Sequence, residues 1–262
     1  MENVLHVERD GGVVRAMLNR PEAGNCLSNT LVGALQALVD ECVDTRAALL
    51  VLQGQGKHFC TGFDLSSLDD ETDDTLLARF VRVELLLQAV YSAPFATVAL
   101  GHGRIMGAGA DLFAACEERI IVDDGNFCFP GAGFGLVLGT GRLTRLVGAG
   151  VAREWVGSGR RIGADEALHR GLATRRIDAM QAADEIERIA RRAQVLDDET
   201  RAAIYAASGQ QAGLAAADLK ALVDSAARPG IKERIVRYRR KAQEVRANKA
   251  PVSAAEAPAR HA

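Results

Sequence analysis

The sequence predicts an α/β fold of repeated strand and helix units, and three patterns carry that prediction. The runs RAALLVLQG (46–54) and FATVALGHG (95–103) are almost continuously apolar and end in glycine, as strands buried on both faces do. The segments LSNTLVGALQALVDECV (27–43) and LLARFVRVELLLQAVYS (76–92) repeat apolar residues every three or four positions, the period of an amphipathic helix. From about Ala182 onward the pattern turns wholly helical.

In chain order, VLHVER (4–9) and VVRAMLNR (13–20) flank Asp-Gly-Gly, whose turn chemistry joins two strands in a hairpin. After the two helices and two apolar strands already named come a helix in GADLFAACEE (109–118) and a strand in ERIIVDD (118–124). A glycine-punctuated loop then leads to a short helix in GADEALHRGL (163–172). QAADEIERIARRAQVL (181–196), ETRAAIYAA (199–207) and the basic IKERIVRYRRKAQEVRANK (231–249) complete the helical part, and no repeat of fixed length stands out. The expected organisation is a core over 1–182, a helical region over 183–250 and, over 251–262, a tail with the composition of disorder.

With 262 residues, 48% hydrophobic and 25% charged, the chain can bury a full core as one large domain. A net charge of -2 offers no long-range field to nucleic acid or to an anionic membrane, so neither is an expected partner. The five cysteines, Cys26, Cys42, Cys60, Cys116 and Cys128, are odd in number and lack C-x-x-C spacing. They read as reduced thiols of a cytoplasmic protein, with no metal site. No apolar run approaches the roughly 20 residues of a membrane span, and the N-terminal stretch lacks the apolar core of a signal peptide.

The run FCFPGAGFGLVLGTGRL (127–143) carries five glycines. It is no dinucleotide fingerprint, because counting from Gly131 or Gly133 puts Leu136 or Leu138 where the third glycine belongs. Gly107 and Gly109 fail in the same way at Leu112, and no Walker-type phosphate loop occurs. Ser28, Ser66 and Ser92 lie outside any G-x-S-x-G elbow, and Cys60 reads as a buried, hydrophobe-like thiol.

LNRPEAGNCLS (18–28), GKHFCTGFDLSSL (56–68), GRIMGAGADLFAACE (103–117), the PGAGFG and GTGRL pair within 130–143, and RRIGADEALHRGL (160–172) together resemble the enoyl-CoA hydratase/isomerase (crotonase) family. The order and spacing agree over about residues 3 to 180. The resemblance implies a crotonase-like ββα spiral stacking roughly perpendicular sheets, followed by a C-terminal helical trimerisation region, in homotrimers or homohexamers. It also implies an acyl-CoA or carrier-bound acyl thioester as substrate, coenzyme A being part of that substrate and no other cofactor being required.

In that family the thioester carbonyl lies between two backbone N–H groups, which here fall at Phe63 and Ala108. Phe63 is bulkier than the usual residue and is expected to crowd the thioester or wall the acyl pocket. Gly62, Asp64, Leu65, Gly107, Pro130 and Gly131 would surround the substrate, with Lys57 and Arg20 as cations for coenzyme A. The family's two catalytic glutamates correspond to Asp111 and Gly131, so the second carboxylate is missing; a plain helix-start charge is the other reading of Asp111. His58 and His102 are the nearest other proton carriers, read mainly as packing residues, and Arg234 and Tyr238 sit on the basic helix that relatives bring to the site. The acid run LDDETDDT (68–75) lacks the features of a calcium loop and reads as a mobile, solvated loop bordering the acyl pocket. The expected function is a hydratase, isomerase, decarboxylase or thioester hydrolase with non-standard acid and base groups. The alternative is a catalytically idle relative that binds CoA thioesters or serves in assembly.

Overall fold

The computed structural model describes residues 3–208 and 212–249. Strands β1 (Leu5–Asp10) and β2 (Val13–Leu18) form the expected hairpin, with both turn glycines at positive φ, +52° at Gly11 and +83° at Gly12. Helix α1 (Asn29–Asp44) starts where the Ser28 hydroxyl accepts the Leu31 N–H. Strand β3 (Leu49–Gly54), helix α2 (Asp73–Tyr91), strand β4 (Ala96–Met106), helix α3 (Ala108–Ala115) and strand β5 (Glu118–Cys128) follow. Then come α4 (Thr140–Val147), α5 (Ala149–Ser158), α6 (Ala164–His169), the short strand β6 (Arg175–Ile177) and helices α7 (Ala182–Ala193), α8 (Asp198–Ser208), α9 (Ala212–Ala226) and α10 (Ile231–Lys249).

The six strands pair in chain order in one sheet, antiparallel between β1 and β2 and parallel elsewhere. Alternation along β3 explains its apolar run. Leu50 and Leu52 face the cluster beneath α1 and α2, while Leu49 and Val51 face Ile186, Ile189 and Ala190 of α7. Strands β4 and β5 run on past this sheet after a register shift between Gly101 and Gly103. Their far halves carry isolated bridges from Cys60 to Ile105 and from Phe127 to Ile162, and a third bridge joins Leu27 to Phe63. That smaller layer positions the site.

Two segments differ from expectation. The stretch read as a glycine-punctuated loop contains α4 and α5, and its glycines mark their ends: Gly139, Gly148 and Gly159 all have positive φ. The acid run 68–75 is a 3-10 turn followed by the start of α2, where Thr72 and Thr75 cap each other. Asp73 there accepts the N–H groups of Gly230 and Lys232 at 2.8 and 3.0 Å, which ties the start of α10 to α2. Ile231 and Ile235 of α10 and Leu222 of α9 then pack on Leu76 and Phe80 of α2. The segment read as a tail, 251–262, lies outside the described residues. Among the described residues no helix is long and apolar enough to cross a membrane.

Candidate active site

The Leu27 N–H donates to Gly62 O at 2.7 Å. In a trans peptide the carbonyl and the following N–H point in opposite directions, so the Phe63 N–H is turned away from Leu27. Ala108 is the first residue of α3, where helical geometry leaves the N–H without an intrahelical acceptor. Neither N–H has a backbone acceptor among the described residues. Glycine brings the two segments together: a Cβ on Gly62 (φ +103°) would lie 2.7 Å from Met106 O and 3.5 Å from Ala108 N, and one on Gly109 would lie 2.4 Å from Cys60 O. Phe63 and Ala108 open on one cavity of about 140 Å³, which Gly62, Leu65, Gly107, Asp111, Pro130 and Gly131 also line.

Asp111 lies one turn into α3 and is 4% exposed. Its Oδ1 is packed against Gly139, where a Cβ would come within 2.0 Å. Burial pushes its carboxyl well above the ordinary carboxylate range; Arg142 draws it back down and Glu84 adds to the rise. Asp111 therefore holds its proton more tightly than a free carboxyl does, which weakens its reading as a plain helix-start charge. Behind it, the fully buried Arg142 and Glu84 form a bidentate pair at 2.8 and 2.5 Å, with Asp218 3.6 Å from Arg142.

The glycines of 127–143 have separable reasons. A Cβ on Gly133 would strike the Tyr238 ring at 2.6 Å, and one on Gly135 would strike Arg234 Nη1 at 2.5 Å, so these two admit α10. Gly139 admits Asp111, and Gly141 admits Asp218. At Gly131 a Cβ would make ordinary contacts, 3.4 Å to Leu136 O and 3.7 Å to Leu136 Cβ, and φ is not positive. Nothing in the packing demands glycine there.

The remaining predicted residues lie elsewhere. Asp64 is turned into a separate groove, where its carboxylate takes the Arg20 guanidinium at 2.8 Å and the Ser66 N–H at 2.9 Å. Burial alone would raise this carboxyl, but those hydrogen bonds outweigh it and hold it at about 2. Lys57 is exposed, on the loop after β3 and outside the cavity. His58 accepts the Arg104 N–H at Nδ1 and His102 Nε2 lies 2.9 Å from Gly56 O, so both hold that loop and neither lines the cavity. The fully buried Cys60 thiol is pushed up to about 12 by burial, which leaves it un-ionised. Ser28, Ser66 and Ser92 serve caps and turns.

Tyr238 of α10 lines the cavity, and Arg234 donates to the carbonyls of Phe134, Gly135, Ser225 and Arg228, clamping the loop from within the same chain. Sequence reasoning missed α2's part. The Phe63 ring stacks on Phe80 at 4.3 Å, and the Arg79 guanidinium lies 4.3 Å from the Phe63 centroid while donating to Asp64 O at 2.8 Å. Charged Arg79 and Glu84 on the apolar face of the 76–92 helix were the available signal, since buried charges require partners.

The enoyl-CoA hydratase/isomerase family model matches residues 8–210. A Mycobacterium bovis protein described as enoyl-CoA hydratase echA6 is 36% identical over 194 residues, which is 71% of this chain and 77% of the relative. The short-chain-enoyl-CoA hydratase of Clostridium acetobutylicum is 29% identical over 204 residues, 72% of this chain and 74% of the relative. In three dimensions, a Bordetella parapertussis structure described as an enoyl-CoA hydratase/isomerase superimposes with a TM-score of 0.87 at 42% identity, covering 90% of this chain and 98% of that one.

Proposed function

Since the chain belongs to the enoyl-CoA hydratase/isomerase family, we propose that it acts on an acyl-CoA thioester through an enolate-like intermediate held by the N–H groups of Phe63 and Ala108. The supporting observation is that one cavity receives both of these main-chain segments and the carboxyl of Asp111. A preorganised donor of this kind is worth about 3 kcal/mol where charge develops on the thioester oxygen. Coenzyme A enters as part of the substrate, with exposed Lys57 available to its phosphates.

Asp111 is the proton carrier in this reading. Its raised proton affinity brings it nearer the working pH, where a general acid or base is most effective. Gly131 stands where the family's second carboxylate is expected. Hydration needs one group to activate water and another to serve the α-carbon, whereas a 1,3-proton shift removes and returns a proton with a single group. The site therefore suits double-bond isomerisation better than hydration. Assembly as a trimer or hexamer through the helices after Ala182 belongs to the same reading; Met180, Val195 and Ile204, each at least half exposed, are apolar residues that an interface would cover.

The test compares two reactions. Crotonyl-CoA hydration is expected with kcat/KM at least about 10³ below the diffusional ceiling of roughly 10⁸ to 10⁹ M⁻¹s⁻¹. Conversion of a 3-enoyl-CoA to its conjugated 2-enoyl isomer is expected to be the faster. Hydration near the ceiling would overturn the one-carboxyl mechanism. Tight thioester binding with neither reaction would establish the idle binder, a reading that the absent side chain at Gly131 favours.

A further inference from the structure

We infer that the cavity selects an uncharged, compact acyl group of about six carbons, and that the Phe63 side chain sets this limit. The inference rests on the acyl-thioester reading above and adds the class of acyl group.

Size is the first observation. The cavity measures about 140 Å³, and an apolar cavity of about 150 Å³ in another protein takes up benzene. Its walls are braced from behind. Phe63 is stacked on Phe80, which is 1% exposed, and Arg79 covers Phe63 while being held by Glu71 and by Asp64 O. Elsewhere in the lining Phe134 meets Tyr238 edge to face at 5.6 Å, and Arg234 fixes the Phe134 and Gly135 carbonyls. Widening the cavity would mean unstacking aromatic pairs and breaking charge-assisted hydrogen bonds.

Charge is the second observation. No Lys, Arg or His lines the cavity among the described residues. The neighbouring cations are committed elsewhere: Arg234 to four carbonyls, Arg142 to Glu84, and Arg79 to Glu71. A carboxylate carried on the acyl chain would lose its hydration here without a counter-ion. Phe63 holds a particular place because its N–H and its ring belong to the same residue. The ring therefore limits width close to the thioester carbon, and truncating it leaves the N–H in place.

Calorimetric binding of free CoA and of butanoyl-, hexanoyl-, decanoyl-, benzoyl-, pentanoyl- and glutaryl-CoA tests this. Affinity is expected to rise about fourfold per methylene, then to level off at about six carbons. Benzoyl-CoA should bind like hexanoyl-CoA, and glutaryl-CoA at least about tenfold more weakly than pentanoyl-CoA. In Phe63→Ala the plateau should move to longer chains. A rise continuing undiminished to decanoyl, or glutaryl binding equal to pentanoyl, would overturn the inference, and the wild-type series alone decides that. An unmoved plateau in a folded Phe63→Ala protein would remove the role of Phe63. If thioesters bind alike whatever the acyl group, both the size and the charge selection fall while the acyl-thioester reading stands; if neither CoA nor any thioester binds, that reading falls with them.

Discussion

Asp64 and Asp111 follow the two proposed donors, Phe63 and Ala108, by one and three residues, and both are less than a tenth exposed. The protein treats them in opposite ways. Asp64 meets Arg20 and the Ser66 N–H and stays ionised, held at about 2. Asp111 packs against Gly139 and holds its proton more tightly than a free carboxyl does. Burial is common to both, so burial does not decide the charge; the partner does. A carboxylate fixed by partners suits holding a loop in shape. A carboxyl without such partners at the edge of a cavity suits exchanging a proton.

The largest expected effect breaks that comparison most directly. Asp111→Asn preserves shape and removes the exchangeable proton, so turnover of a 3-enoyl-CoA should fall by about 10² to 10⁴ while thioester binding persists. Asp64→Asn should leave turnover per folded molecule within about tenfold, because it acts only through the loop carrying Phe63. If Asp64→Asn proved as damaging to kcat as Asp111→Asn in fully folded protein, the division of labour would be wrong.

Much of this contrast was invisible in the sequence. The motif GAGADL located Asp111 on α3, and G-F-D-L located Asp64, but spacing alone could not say which carboxyl would find a partner. The partner of Asp64 is Arg20, 44 residues earlier, while Asp111 is enclosed by Gly139, in a stretch read as loop. Strands β3 and β4 were legible because a doubly buried strand must be apolar on both faces, which marks the sequence directly. Helices α4 and α5 were not, because glycines that cap short helices look like glycines that fill loops. Within 127–143, Gly133, Gly135, Gly139 and Gly141 make room for groups far away in sequence, whereas the packing around Gly131 does not require glycine.

A smaller effect sharpens the Asp64 side. Its hydrogen bonds to Arg20 and Ser66 involve a charge, and losing that charge in Asp64→Asn should cost about 1.5 to 3 kcal/mol of stability in denaturant unfolding at pH 7. Arg20 would lose its carboxylate partner while its bond to Cys26 O remains at 2.9 Å. A loss below about 0.5 kcal/mol would mean that Arg20 and Asp64 form an ordinary surface pair, despite side-chain exposures of 17% and 8%.

The smallest effect concerns pH, and the two aspartates should give it opposite signs. For Asp64 the folded state binds its proton more weakly than the unfolded state does. Its contribution is therefore complete above the ordinary 3.8 and is lost as pH falls from there toward about 2. For Asp111 the folded state binds its proton more tightly. Folding takes up a proton once pH exceeds 3.8, and stability falls as pH rises from there to the raised folded value. Asp111→Asn cannot titrate, so the melting temperature of this variant minus that of the wild type should grow more positive between pH 4 and pH 8. For a chain of this size each 1 kcal/mol is worth about 2 to 4 °C, so the trend should be resolvable by scanning both proteins side by side at equal concentration. Asp64→Asn should show a deficit that is constant from pH 5 to 8 and shrinks below pH 4. A flat difference for Asp111→Asn from pH 4 to 8 would mean that Asp111 titrates alike in the folded and unfolded chain. Its cavity would then hold an ordinary carboxylate, and the proton carrier would have to be sought elsewhere.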